Sequence, residues 1–242
     1  MKLIIDNLSF SYDSEDIISN VSFQIETGKI IGLIGANGAG KTTIIKNIMG
    51  FLKPNKGKIV IDDKNIAYND HSTFPLAYIP DSPSLYEYLS VEEHLDFLGS
   101  LYKINKKEIE DLASYYGLVQ YKNKTPYQLS KGNKQKLMIC CSLLKPYNFL
   151  IADEPFEALD PEQISNFKNH LNKLKSKGKG IIISTHLLNM VEDICDEYVI
   201  IHRGIVIASG DVSKIKKHFN ITADNIEEIY LTILNRLKDK ED

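Results

Sequence analysis

Residues Gly35-Ala36-Asn37-Gly38-Ala39-Gly40-Lys41-Thr42 have the spacing G-x-x-x-x-G-K-[ST], which suits a loop that holds phosphate. Glycines at 35, 38 and 40 let the backbone curl until its N–H groups converge on an anion. Lys41 sets a cation against the β and γ phosphates of a nucleotide, and the Thr42 hydroxyl can ligate magnesium. A buried-type run, Lys29 to Ile34, leads into the loop, and TTIIKNIM leads out of it as a helix. That helix adds the positive potential of its N-terminus. The competing reading is a chance glycine-rich turn; the complete match between strand and helix sets it aside.

A second chemical cluster follows at Phe149-Leu150-Ile151-Ala152-Asp153-Glu154, an apolar strand ending in two carboxylates. Asp153 suits a magnesium ligand, direct or through water, and Glu154 suits the orientation or deprotonation of an attacking water. Such pairs are common at strand ends and become specific only after a phosphate loop in the same chain. His186 follows a third apolar strand. A lone histidine is often structural, but the carboxyl end of an α/β strand is where ligands bind, which favours a γ-phosphate contact.

The elements that must position these groups can be read from periodicity. LIIDNLSFSY and NVSFQIE alternate apolar and polar residues and predict strands within residues 1–27. KIIGLI, FLIA, GIIIST and EYVIIH are continuous apolar runs suited to a parallel sheet covered on both faces. About Leu89 to Leu144 is predicted helical. A capping-box pair, Ser90 and Glu93, starts one helix with Val91, Leu95, Leu98 and Tyr102 on one face. Another starts near Ser130, with Leu137, Cys140, Cys141 and Leu144 in a stripe. Asp160-Pro161 opens a further helix that buries Ile164, Phe167, Leu171 and Leu174. Strands alternating with helices predict a parallel α/β sheet with an inserted helical subdomain.

Composition narrows the function classes. The 242 residues carry 29 basic and 32 acidic side chains, a net charge of −3. A nucleic-acid binder needs a basic excess or stripe, and the short lysine clusters here read as solvated surface, so no nucleic-acid partner is expected. Cys140, Cys141 and Cys195 lack metal-site or disulfide spacing and suit a reducing, cytosolic setting. The N-terminus is too polar for a signal peptide, and no apolar stretch nears the ~20 residues that span a bilayer. The chain is expected to be soluble, so any membrane part must come from a partner.

The order of motifs completes the reading. The phosphate loop, LSKGN (Leu129 to Asn133), ADEP (Ala152 to Pro155), ALD (Ala158 to Asp160) and STH (Ser184 to His186) together resemble the ATP-binding cassette of ABC transporters across nearly the whole chain. The resemblance implies a RecA-like P-loop NTPase core at about 1–80 and 145–210, with an N-terminal antiparallel β subdomain. It also implies a helical subdomain at about 81–144 and a C-terminal helical extension at about 211–242. It implies ATP and Mg2+ as cofactors, nucleotide contacts along Gly35, Ala36, Asn37, Gly38, Ala39, Gly40, Lys41, Thr42 and Thr43, and Tyr12 stacked on adenine. The alternative for Tyr12 is an ordinary strand tyrosine.

By the same resemblance LSKGN is the family's signature, so Ser130, Gly132 and Asn133 would contact the γ-phosphate held by a second cassette, an identical one by expectation. Asp160 is both a dimer-contact candidate and a helix N-cap. Two residues depart from the family. Asp81 stands where glutamine is usual, and can lie near magnesium but cannot donate an amide hydrogen bond. Lys131 and Asn133 replace a glycine and the glutamine of the signature, and Gly132 keeps its other glycine. IPDSPSLYEYLSVEEHL, DEPFEALDP and the tail NIEEIYLTIL are similar to ATPase subunits of the ABC-2 exporter class, the Ecs-type transporters of Gram-positive bacteria in particular. That implies a membrane permease partner docked on about Pro80 to Leu95, and a cytoplasmic place at the inner face of the membrane. The alternative is a soluble cassette of the iron–sulfur cluster assembly type.

Overall fold

In the computed structural model, strand β3 (Ile30–Ile34) lies at the heart of the molecule, every residue of it buried. Strand β8 (Gly180–Thr185) beside it and β7 (Phe149–Asp153) beyond are equally buried, and β9 (Glu197–His202) on its other side is buried except at its two ends. With β6 (Leu76–Ile79) and β10 (Ile205–Gly210) they form one sheet in the order β10-β9-β3-β8-β7-β6. All pairs are parallel except β10 with β9. The structure describes residues 1–13, 15–66 and 74–238. Residues 67–73 of the expected core and 239–242 of the expected C-terminal extension lie outside the described residues.

The apolar runs are continuous because both sheet faces are covered. Alternate residues Ile31, Leu33, Ile151, Ile182, Val199 and Ile201 meet helix α1 (Lys41–Ile48) and a second sheet. That sheet is antiparallel, in the order β2-β1-β4-β5, built from β1 (Lys2–Tyr12), β2 (Glu15–Glu26), β4 (Lys56–Ile61) and β5 (Lys64–Asn65). The opposite set, Ile30, Ile34, Leu150, Ala152, Ile181, Ile183 and Ile200, packs in the core shared with the remaining helices. Two-sided packing leaves little room at Gly180. A Cβ there would stand 2.5 Å from Cδ1 of the Phe149 ring on the adjacent strand. Gly180→Ala is therefore expected to cost about 1–3 kcal/mol by overpacking, read as a lower denaturant midpoint at unchanged m-value.

Between β6 and β7 the chain forms α2 (Val91–Tyr102), α3 (Lys106–Tyr115) and α4 (Lys131–Leu144). The Ser90–Glu93 capping box is complete, with Ser90 Oγ accepting from Glu93 N and Glu93 returning the bond to Ser90 N. Val91 and Leu95 are buried, while Leu98 and Tyr102 are half-buried at the same core. Helix α4 is more enclosed than a single stripe: Met138 and Ile139 are buried beside Leu137, Cys140, Cys141 and Leu144. It packs against α2 on one side and β6 on another, so two of its faces are covered. Helix α5 (Pro161–Ser176) buries Phe167, Leu171 and Leu174, and Asp160 caps it through Gln163 N. Two C-terminal helices, α6 (Val212–Phe219) and α7 (Ile226–Lys238), follow, with Ile226, Ile229 and Ile233 buried in the core. Among the described residues no helix is long and apolar enough to cross a membrane.

Candidate functional site

The glycine-rich loop runs from the end of β3 to the start of α1. Gly35 must be small because a Cβ would lie 2.6 Å from the Ile201 carbonyl oxygen. Gly40 has φ 103°, a left-handed conformation that disfavours any side chain, and a Cβ there would meet Ile18 at 2.8 Å. No side chain caps the N-terminus of α1, so its first N–H groups remain available to an anion. The loop walls a cavity of about 470 Å³ whose lining includes Tyr12, Asn37 to Thr43, Asp81 and Glu154. Tyr12 lies at the end of β1, half its surface open and its ring edge-on to Phe10. An exposed ring beside a phosphate loop is placed to stack on a base.

Lys41 is 6% exposed and folds back on its own loop. Its Nζ donates to Gly35 O at 2.7 Å and Ala36 O at 3.2 Å, and lies 3.3 Å from Glu154 Oε1. The other oxygen, Glu154 Oε2, accepts from His186 N at 3.3 Å and lies 3.1 Å from His186 Nδ1. Glu154 itself has φ 44°, unusual for a residue with a long side chain. Backbone strain of this sort costs about 1–3 kcal/mol and persists only where the surroundings enforce it. Here the Glu154 N–H is held by both the carbonyl and the hydroxyl oxygen of Ser184, at 3.2 and 3.0 Å.

Asp153 is fully buried. Burial pushes its carboxyl above the ordinary value, the hydrogen bond from Ser184 and the nearby Thr42 hydroxyl pull it back, and the charges of Asp81 and Glu154 push it up again. Its Oδ1 accepts from the Ser184 hydroxyl, while Oδ2 has no hydrogen-bond partner among the described residues. A buried carboxylate oxygen left open beside a threonine hydroxyl fits a small hard dication such as magnesium. Asp81 lies on the cavity rim, exposed, with Oδ1 accepting from Ser82 N.

LSKGN lies elsewhere. Ser130 is the exposed N-cap of α4, accepting from Asn133 N at 3.2 Å. A Cβ on Gly132 would meet Ala158 O at 3.0 Å, so the glycine permits a close backbone approach to ALD. Asn133 is buried. None of the three lines the phosphate-loop cavity. Thus Tyr12, the loop from Asn37 to Thr43, Asp81 and Glu154 share the cavity, while Gly35 and Ala36 do not line it and meet Lys41 through their carbonyls. Asp153 and His186 lie against Thr42 and Glu154, and Ser130, Gly132 and Asn133 stand apart. Two contributors went unnoticed in the sequence. Glu157 Oε1 is 3.9 Å from His186 Nδ1, and nothing in DEPFEALD distinguishes it. Ser184 is one of the two hydroxyl residues that end GIIIST, and it aligns with Asp153 only once β7 and β8 pair.

A family profile described as ABC transporter matches residues 18–157. The chain belongs to the ABC transporter ATP-binding family. Relatives agree along its length. It is 35% identical to the ABC-type transporter ATP-binding protein EcsA of Bacillus subtilis over 96% of each chain. It is 27% identical to the lipopolysaccharide export system ATP-binding protein LptB of Haemophilus influenzae, over 95% of this chain and 96% of that one. A solved ATP-binding subunit of an ABC transporter superposes with a TM-score of 0.90 at 36% identity, covering 97% of this chain and all of that one. As a member of this family the chain is an ATPase that binds ATP with magnesium and couples hydrolysis to transport. Its fold is the ABC form of the P-loop NTPase α/β architecture.

Proposed function

We propose that this cassette drives export, working as one of two identical copies that close over two ATP molecules beneath a permease supplied by another chain. One observation carries the dimer: the phosphate-loop cavity and the exposed Ser130 N-cap occupy separate surfaces of one chain. A nucleotide in the cavity therefore lacks its second wall, which Ser130, Gly132 and Asn133 of a second copy would supply.

Within one half-site, Tyr12 stacks on adenine and the N–H groups of Gly35 to Thr43 face the phosphates. Lys41 leaves Gly35 O, Ala36 O and Glu154 for the β and γ phosphates. Thr42 and Asp153 would hold the magnesium, and Asp81 on the cavity rim would add its charge nearby. The ion held there would supply positive charge against that developing on the phosphates. Departure of Lys41 frees Glu154 Oε1 to take the proton of the attacking water, and His186 holds Glu154 Oε2 while facing the γ-phosphate. Hydrolysis removes the γ-phosphate, the group both copies would share, and the dimer opens; this two-state movement is what a permease can use.

About 81–144 would act as the helical subdomain and about 211–242 as the C-terminal extension of the core formed by about 1–80 and 145–210. Pro80 to Leu95 is the docking segment, supported by the exposed rings of Tyr86 and Tyr88 within it. Export is favoured by the similarity to LptB, whose name places it in an export system. The cassette would then work in the cytoplasm at the inner face of the membrane. The deciding experiment is a tagged pull-down from detergent-solubilised membranes with mass spectrometry. Stoichiometric recovery of a polytopic membrane protein is expected. Recovery of soluble partners alone, with the cassette absent from membranes, would overturn this reading in favour of the iron–sulfur cluster assembly type.

A further inference from the structure

A buried hydroxyl, that of Ser184, touches both residues assigned to metal and water. Ser184 is completely enclosed on β8 and pairs directly with Asp153 of β7 in the parallel register. Its Oγ donates to Asp153 Oδ1 and accepts from Glu154 N at 3.0 Å. A hydroxyl has one proton to give, and that proton is committed to Asp153. The consequence at Asp153 is a fixed carboxylate plane: Oδ1 is tied down, and the open oxygen is Oδ2. The consequence at Glu154 is support for the left-handed backbone at φ 44° that turns its side chain toward Lys41 and His186.

We propose that Ser184 is a positioning residue that sets both carboxylates at once, orienting Asp153 for the metal and Glu154 for the water. A serine that merely satisfied its own hydrogen bonds in the core could accept and donate anywhere. This one spends both on adjacent residues whose spacing must stay fixed relative to one nucleotide. Groups that orient metal ligands in this way commonly contribute about 10–100-fold in metal affinity or activity. The inference rests on the roles proposed above for Asp153 and Glu154.

The test uses the full chain and three variants: Ser184→Ala, Ser184→Cys and Ser184→Thr. The first removes the hydroxyl, the second keeps the shape with a weak donor, and the third restores the hydroxyl. Mn2+ serves as a magnetic probe, titrated with ADP and followed by electron paramagnetic resonance. ADP affinity in chelator, kcat and KM for ATP, and thermal melting are measured beside it.

Ser184→Ala and Ser184→Cys are expected to bind Mn2+ with ADP about tenfold more weakly and to lose at least that much kcat. ADP affinity without metal should stay within about twofold, and Ser184→Thr should recover both losses. Unchanged Mn2+ affinity and kcat in Ser184→Cys would overturn the proposal, including the case in which Ser184→Ala does not fold. Equal losses with and without metal, together with a lowered melting temperature, would also overturn it and leave Ser184 a packing residue. Asp153→Ala separates the two levels of inference. If that variant binds Mn2+–ADP like the parent, the metal assignment of Asp153 has failed rather than the orientation by Ser184.

Discussion

Glu154→Gln is expected to bind ATP at least as tightly as the parent while hydrolysing it about 10²–10⁴-fold more slowly, the range a positioned general base supplies. The amide keeps the shape of the side chain and can still accept from His186 N, now 3.3 Å from Oε2. What it loses is basicity and charge. Lost charge also releases Lys41, which lies 3.3 Å from Glu154 Oε1. With that competitor gone, Lys41 is freer to meet the phosphates, so affinity should hold or rise. The variant should therefore accumulate as an ATP-bound dimer. Turnover by phosphate release and mass by light scattering with ATP check both halves. Parental turnover would remove Glu154 from the role of base.

Lys41→Ala is expected to weaken ATP binding by about one to two orders of magnitude, since a hydrogen bond from a charged group contributes about 1.5–3 kcal/mol. The folded protein should survive the change less comfortably than a surface substitution would suggest. Lys41 is buried, and its Nζ satisfies two loop carbonyls as well as Glu154. Removing it leaves Glu154, whose side chain is 12% exposed, without its cation. Lys41→Arg keeps the charge and tests whether the compact ammonium is needed, because a planar guanidinium cannot reproduce the turn back onto Gly35 and Ala36. Titration with a fluorescent ATP analogue reads the affinities. Unchanged binding in Lys41→Ala would take this lysine out of the phosphate site.

The two variants act on one ion pair from opposite sides, so their effects should not add. A double-mutant cycle on ATP affinity should give a coupling outside the few tenths of a kcal/mol seen for independent sites. This follows from the ion pair between Lys41 and Glu154, a relation invisible in the linear spacing.

The sequence by itself determined the chemistry and much of the frame. The loop from Gly35 to Thr42 was legible because phosphate binding needs glycine at set positions, and a glycine-rich curl between an apolar strand and a helix has few other uses. The sheet was legible because strands covered on both faces must be apolar throughout, as KIIGLI and GIIIST are. Helix starts at Ser90, Ser130 and Asp160 were legible because caps are local bonds between a side chain and the backbone three residues on.

Only the tertiary structure decided the relations across the chain. Strand order placed Ser184 beside Asp153, and parallel register made one hydroxyl a neighbour of both carboxylates. Burial put Lys41 against Glu154, and the turn after β7 forced Glu154 into a left-handed conformation. The same architecture left Ser130, Gly132 and Asn133 away from the loop they are expected to complete in another copy. Local motifs specify which atoms can bind phosphate. Long-range packing specifies which of those atoms meet within one chain, because contacts between distant residues depend on the order in which the strands assemble and on what burial forces together.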